Sequence, residues 1–238
     1  MMRAPVSVVI PTLNAREALP GCLAALQEGL DAGLIREIIV SDGRSCDETL
    51  DIVAAAGITA VTGPPGRGGQ LKRGGSQARG SWLLFLHADS WLAAGWTQEV
   101  LDHIGAHQGP AAFSLAFRQS TTWGTTAEPS GLRAKIVAGW ANLRSRKFGL
   151  PYGDQGLLVP HPLYREVEGY DDIPLMEDVA IARRLKPIRL LDTRIFTSED
   201  KYSREGWFRR GAKNLTLLMR YFLGASPDIL AEAYNRRR

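Results

Sequence analysis

Glu37-Ile38-Ile39-Val40-Ser41-Asp42 is a run of three β-branched residues closed by a polar pair that ends in a carboxylate. Short apolar runs of this kind read as strands buried on both faces. A carboxylate just past such a strand lies at the carboxyl edge of a sheet, where open α/β folds place their ligands. The arrangement recurs in Leu83-Leu84-Phe85-Leu86-His87-Ala88-Asp89, and Glu177-Asp178 opens a later helical stretch.

Outward from these stretches, the chain alternates strands and helices. Val6 to Ile10 reads as a buried strand ended by Pro11. A helix follows from about Glu17 to Leu30, with Leu19, Leu23, Leu26 and Leu30 on one face. The second strand is Glu37 to Ser41. Ser45-Cys46-Asp47-Glu48 then offers caps for a helix stopped at Gly57. Ile58 to Thr62 is a third strand, Gly63 to Gly69 a Pro/Gly-rich loop before a helix through Ala78, and Trp82 to Leu86 a fourth strand. A helix from about Ala93 to His107, a strand from Ala111 to Arg118, a long helix from Pro129 to Lys147 and a strand at Leu157 to Val159 complete the pattern. This rhythm predicts an α/β fold, a single Rossmann-like domain with a mostly parallel central sheet flanked by helices, plus a basic helical C-terminal tail.

Of 238 residues, 45% are hydrophobic and 23% charged, an ordinary soluble composition. Cys22 and Cys46 belong to no CxxC or Cys/His cluster, which argues against a structural zinc site or a disulfide framework. No apolar stretch approaches the roughly 18 residues of a membrane span, and the first strand is too short for a signal-peptide core. The expectation is a cytoplasmic protein. The net charge of +4 is uneven: Arg183 to Arg238 carries 14 Lys and Arg against 6 Asp and Glu, leaving the rest of the chain acidic. An acidic body with a basic tail suits a metal site beside an anion-attracting surface. No recognisable nucleic-acid module is present, so no nucleic-acid partner is expected.

Each station has a chemical and a structural reading. Thr12 and Asn14, in the turn after the first strand, can hydrogen-bond a base or ribose, or simply close a turn. No GxGxxG stands there, and no GxxxxGK[ST] occurs anywhere. Asp42 can accept a hydrogen bond from a pyrimidine imino N–H, or cap a helix. The run Gly66 to Gly75 joins exposed backbone N–H groups to Arg67, Lys72 and Arg73, which suits an anion at a helix start or a flexible basic loop. Asp89 is a natural oxygen ligand for Mg²⁺ or Mn²⁺, which take one or two carboxylates plus substrate phosphates. His87 lies two residues earlier on the same side of the strand, where hydrogen bonding or packing competes with metal ligation. Glu177 and Asp178 in a first helical turn are favoured by the helix dipole, so a structural account exists beside a catalytic one. Together the stations can recognise a nucleotide, hold a divalent cation and take a proton from an attacking hydroxyl, which points to group transfer from a nucleotide-activated donor.

With SVVIPTLNARE, EIIVSDGRSCDET, LLFLHADS and LMEDV in this order, the chain resembles the family 2 glycosyltransferases of GT-A fold, from Val6 to about Lys186. The resemblance implies an inverting transferase acting on a nucleotide-diphosphate sugar, a UDP-sugar, and on an unidentified acceptor hydroxyl. It implies a nucleotide-binding half over residues 5–120, an acceptor and catalytic-base half over 121–200, and the tail over 201–238. It assigns Pro11, Thr12, Asn14 and Asp42 to the nucleotide pocket with Lys72 nearby. Asp89 matches the second, metal-holding acid of the DxD motif, with Mn²⁺ or Mg²⁺ as cofactor. Asp178, beside Glu177, matches the catalytic base of the ED motif. His87 departs from the motif's first acid and is placed on the nucleotide side. LFLHADS and GLPYGDQG also resemble a bacterial subgroup sometimes linked to arsenosugar biosynthesis, which puts Tyr152, Asp154 and Gln155 near the sugar or acceptor.

The segment Trp207 to Phe222 reads as an amphipathic helix, with Leu215, Leu218 and Phe222 on one face and Arg209, Arg210, Lys213 and Arg220 available for another. Packing on the catalytic body, dimerisation and peripheral contact with a membrane are its alternatives; if it folds over the active site, its arginines can meet the donor diphosphate. Two competing functions remain at this level. A nucleotidyltransferase would need a Gly-rich basic loop after the first strand, which PTLNARE lacks. A non-catalytic nucleotide-binding or membrane-docking module would not need Asp89 and Asp178.

Overall fold

The computed structural model describes residues 4–106, 109–118 and 131–235. In chain order the first half runs β1 (Val6–Thr12), α1 (Leu19–Asp31), β2 (Ile35–Asp42), α2 (Thr49–Ala55), β3 (Thr59–Thr62), α3 (Arg67–Gln77), β4 (Trp82–Phe85), β5 (Ser90–Leu92), α4 (Trp96–Ala106) and β6 (Ala111–Arg118). The second half runs α5 (Leu132–Phe148), a 3-10 turn at Gly153–Gln155, β7 (Leu157–Pro160), α6 (His161–Glu166), α7 (Glu177–Leu185), β8 (Arg189–Ser198), α8 (Asp200–Glu205), α9 (Trp207–Phe222) and α10 (Pro227–Asn235). Among the described residues, eight strands join one sheet in the order β3-β2-β1-β4-β7-β6-β8-β5. Four of its seven pairings are parallel, including the β3-β2-β1-β4 block, and three are antiparallel.

The alternating side chains of β1 explain why both faces are covered. Val6, Val8 and Ile10 share one core cluster with Leu19, Cys22 and Leu26 of α1, Trp96 and Val100 of α4, and Ala134, Ala138 and Ala141 of α5. Val9 points the other way, toward Leu71 of α3, Tyr164 of α6 and Val179 and Ile181 of α7. A strand buried on both faces must be apolar throughout, as Val6 to Ile10 nearly is.

Several elements differ from the sequence reading. The helix expected from Pro129 begins outside the described residues, and α5 is observed from Leu132; Gly149, left-handed at φ 58, closes it. His107, the expected end of α4, also lies outside them, and α4 starts three residues later than predicted. β5, β8 and α6 are not anticipated by the sequence reading, whereas α8 and α10 fall in the tail expected to be helical, as helices separate from α9. β5 is three residues long and exists only through pairing with β8, while Asp192 and Arg194 interrupt the apolar pattern of β8.

α3 is glycine-rich because it lies close on the sheet. A Cβ at Gly74 would stand 2.4 Å from Val9 Cγ1, and Val9 is fully buried and β-branched, with no room to turn. Replacing Gly74 with Ala gains about 1 kcal/mol of helix propensity, but overpacking a core costs about 1–3 kcal/mol, so the clash dominates. Gly139 in α5 has nothing within 4 Å of such a Cβ. Denaturant titration is therefore expected to show Gly74→Ala lowering stability and Gly139→Ala raising it by about 0.5–1 kcal/mol. Equal effects at the two positions would contradict the close approach of α3.

Candidate active site

The parallel block brings the carboxyl ends of β1, β2 and β4 to one edge. Thr12 and Asp42 are register partners there, and the Thr12 hydroxyl donates to Asp42 Oδ1 at 2.9 Å. Ser45 supplies two more bonds, from its N–H to Oδ2 at 2.8 Å and from its hydroxyl to Oδ1 at 2.6 Å. Asp42 is fully buried, and both of its carboxylate oxygens are held by Thr12 and Ser45.

The loop after β1 is interlocked with the loop after β2. The N–H groups of Asn14, Ala15 and Arg16 donate to Ser45 Oγ, Thr49 Oγ1 and Asp47 Oδ2. Asn14, at φ 50, accepts the Cys46 N–H on its Oδ1 at 2.9 Å. The backbone donors that a phosphate-binding loop would offer are thus occupied by the chain's own oxygens.

Two α3 side chains reach this edge, Gln70, to which the sequence reading gives no role, and Arg73, which it counts only among the cations of the Gly66 to Gly75 run. Gln70 donates from Nε2 to the carbonyls of Thr12 at 2.6 Å and Ser41 at 3.0 Å, and Arg73 donates to the carbonyl of Asp42 at 3.1 Å. Lys72, about 200° around the helix from Gln70, is exposed. Their signal was helical phase: once Gln70 faces inward, Lys72 must face out. The α3 start is also approached by the chain's own carboxylate, since a Cβ at Gly69 would lie 2.5 Å from Asp172 Oδ1.

The second cluster surrounds a cavity of about 310 Å³ lined by Arg67, Asp89, Tyr152, Asp154, Glu177 and Asp178 among others. Its centre is the turn at Gly153. The Gly153 N–H donates to Asp178 Oδ2 at 2.8 Å, and the Val179 N–H donates to Oδ1 at 2.8 Å. Met176, left-handed at φ 69, precedes α7 and aims its first turn into the cavity. From the other side, His87 Nδ1 donates to Asp154 Oδ1 at 2.8 Å, and a Cβ at Gly153 would stand 2.8 Å from the His87 ring. His87 therefore braces the turn. Gln155 faces the core instead of the cavity: it is fully buried, donates to the Phe113 carbonyl at 3.1 Å and accepts from the Ser145 hydroxyl and the Tyr152 N–H. Tyr152 lines the cavity and carries the Arg144 guanidinium 3.4 Å above its ring centroid.

Charge in the cavity is balanced from α3. Partial loss of solvent lowers the Arg67 pKa, but Glu177, Asp154, Asp178 and Asp89 outweigh it, and the net shift is upward. Arg67 pairs with Glu177 Oε1 at 3.4 Å. Burial, and then the Asp178 charge, raise the Glu177 pKa against the opposing pull of Arg67. Among the described residues, no group of three or more His, Cys, Asp or Glu forms a complete metal cage. Asp89 supplies one carboxylate oxygen donor group of the kind Mg²⁺ and Mn²⁺ take beside substrate phosphates.

The tail packs on the catalytic body. Arg210, Asn214, Leu217 and Leu218 of α9 and Tyr234 of α10 form one cavity wall. Arg210 is buried, donating to Glu205 at 2.8 Å and to the Tyr234 hydroxyl at 3.1 Å. Leu218 points inward, whereas Leu215 and Phe222 point out.

The model of the family described as Glycosyl transferase family 2 matches residues 7–161. A "PGL/p-HBAD biosynthesis glycosyltransferase" of Mycobacterium tuberculosis is 37% identical over 123 residues, covering 45% of this chain and 44% of that protein. The match thus spans less than half of that relative's length. An "Uncharacterized glycosyltransferase" of the same species is 35% identical over 91 residues, covering 38% of this chain and 39% of that protein. Among solved structures, S. aureus TarS in complex with UDP-GlcNAc is similar with a TM-score of 0.57 and 15% identity, covering 82% of this chain and 58% of that one. Glucosyl-3-phosphoglycerate synthase from Mycobacterium tuberculosis, in complex with Mn²⁺, UDP and glucosyl-3-phosphoglycerate, is similar with a TM-score of 0.54 and 19% identity, covering 89% of this chain and 78% of that one.

Because the Glu177 pKa is raised on folding, the native state binds more protons than the unfolded chain, and stability falls as pH climbs from the ordinary carboxyl value of 4.5 through the native value. Glu177→Gln removes that loss. Its melting temperature should exceed that of the parent at about pH 8, with the gap closing toward 4.5. A pH-independent gap in a series of thermal melts would show that Glu177 is not held toward its neutral form.

Proposed function

The chain belongs to glycosyl transferase family 2 and is a glycosyltransferase of GT-A fold, and on that premise we propose that it moves a sugar, with inversion, from a UDP-sugar to an acceptor hydroxyl. The observation that carries this reading is the convergence of Asp89 and Asp178 on one cavity, with Asp178 held by two backbone N–H groups. The UDP and UDP-GlcNAc bound to the two structural neighbours support the donor class.

Asp178 is the general base. One N–H on each carboxylate oxygen fixes the plane of the group and leaves a further lone pair on each for a proton. The acceptor oxygen attacks the anomeric carbon while its proton passes to Asp178. The bond from that carbon to the diphosphate oxygen breaks, and its electron pair leaves with the diphosphate. A single in-line displacement inverts the anomeric centre. Glu177, kept toward its neutral form, limits the negative charge beside the base. Arg67 is the chain's own cation for charge growing on the diphosphate. Asp89 would hold Mn²⁺ or Mg²⁺, which would supply Lewis-acid stabilisation of the charge on the leaving diphosphate. Thr12, Pro11 and Asp42 form the nucleotide end, with Arg73 the nearby cation that touches Asp42.

The nucleotidyltransferase reading loses ground because the N–H groups of Asn14, Ala15 and Arg16 are already bonded within the chain.

Calorimetric titration with UDP, GDP and CDP, each with Mn²⁺ and with EDTA, tests the donor site. UDP binding that needs metal and weakens in Asp89→Ala is the expected result; preference for GDP would change the donor class. In a companion assay of UDP release from a UDP-sugar, Asp178→Asn should lose about 10²–10⁴-fold in rate while still binding UDP. Full activity of Asp178→Asn would remove the base assignment.

A further inference from the structure

α5 places its apolar residues contrary to what core packing requires. Its buried face carries Ala134, Ala138 and Ala141, while Leu132, Ile136, Trp140 and Leu143 face solvent. At about 100° per residue these four fall on one stripe, with Arg133 on one flank and Lys135 and Arg146 on the other. A helix serving only the core would turn its large apolar side chains inward.

α9, which packs on α5, repeats the arrangement. Leu217 and Leu218 turn inward, whereas Phe208, Leu215, Met219 and Phe222 form a second outward stripe. Arg209 and Arg220 are exposed on the same helix, whereas Lys213 turns to α10 and donates to the Tyr234 carbonyl at 3.0 Å, and the Phe222 ring carries the Arg183 guanidinium of α7 at 5.3 Å. Single exposed apolar residues are ordinary, but two stripes of large ones on adjoining helices mark an interaction surface. Leu132 is 73% exposed and Phe208 62%.

We propose that the α5–α9 face docks on the surface of a bilayer containing anionic lipid. Apolar stripes that include Trp and Phe and are flanked by Lys and Arg match the layered chemistry of such a surface, with acyl chains beneath negative headgroups. Among the described residues no helix is long and apolar enough to cross a membrane, so the contact lies in the interface plane. A second copy of the chain is a poorer occupant, because a two-fold interface sets the patch against itself and would bring together two faces whose exposed flanking charges, Arg133, Lys135 and Arg209, are of one sign. The inference stands apart from the catalytic reading, since it uses only the outer face of these helices.

Flotation of the protein with vesicles of phosphatidylcholine alone, and of phosphatidylcholine with phosphatidylglycerol, tests it. Binding to the anionic vesicles, weakened by added salt, is the expected result. Trp140→Ser and Phe208→Ser should each weaken it by about tenfold without changing the melting temperature, and Lys135→Glu with Arg209→Glu should reduce it further. Absence of binding, equal binding to both vesicle types, or binding indifferent to the Ser variants would overturn the proposal. Sedimentation velocity covers the other occupants: a dimer lost in Trp140→Ser without vesicle binding makes the face a subunit interface, and a monomer without vesicle binding leaves it to a protein partner.

Discussion

The candidate site depends on the placement of one turn, Gly153 to Gln155. Its first N–H orients Asp178, the neighbouring Asp154 holds His87, and Gln155 ties its underside to α5 and β6. The His87 ring packs so closely on Gly153 that any side chain there would meet it within 2.8 Å. Glycine is required by this approach, since φ at Gly153 is not among the left-handed positions. The turn joins the residues that follow β4 to the first turn of α7, and so connects the two halves of the chain at the point where the chemistry is proposed.

A similar economy governs the proposed nucleotide end. The carboxyl edge of a parallel sheet exposes loop N–H groups that attract anions. Here those of Asn14, Ala15 and Arg16 are neutralised by Ser45, Thr49 and Asp47. The loops after β1 and β2 hold each other, and Gln70 bridges the carbonyls of their two strands from above. A rigid rim results, in which Asp42 is positioned by Thr12 and Ser45 before any ligand arrives. Rigidity of this kind lowers the ordering cost of binding.

α9 has separate roles on separate sides. Its inner side places Asn214, Leu217 and Leu218 on the cavity wall, and its outer side carries the apolar stripe, with Arg209 and Arg220 exposed. The helix is therefore amphipathic in three sectors, which a two-face description of the same residues misses. Arg210 and Lys213 show the difference: grouped by charge with the exposed Arg209, they instead turn to partners within the chain, Arg210 to Glu205 and the Tyr234 hydroxyl and Lys213 to the Tyr234 carbonyl.

By itself the sequence determined the α/β architecture and the stations at Asp42, Asp89 and Asp178. Buried parallel strands must be continuous apolar runs, and such runs, with the carboxylates that close them, are local patterns. Local pattern also located the first strand, the tail helix and the Ala111–Arg118 strand. It did not reveal β5 and β8, because the three-residue β5 rests on its pairing with β8, and β8, broken by Asp192 and Arg194, is held by its long pairing with β6. Nor did it assign the inward reach of Gln70 and Arg73, the core-facing position of Gln155, or the clasp between His87 and Asp154. Those were decided by tertiary structure, since each depends on the rotation of a helix or turn against a partner distant in the chain, and residue spacing within one element carries no record of that partner.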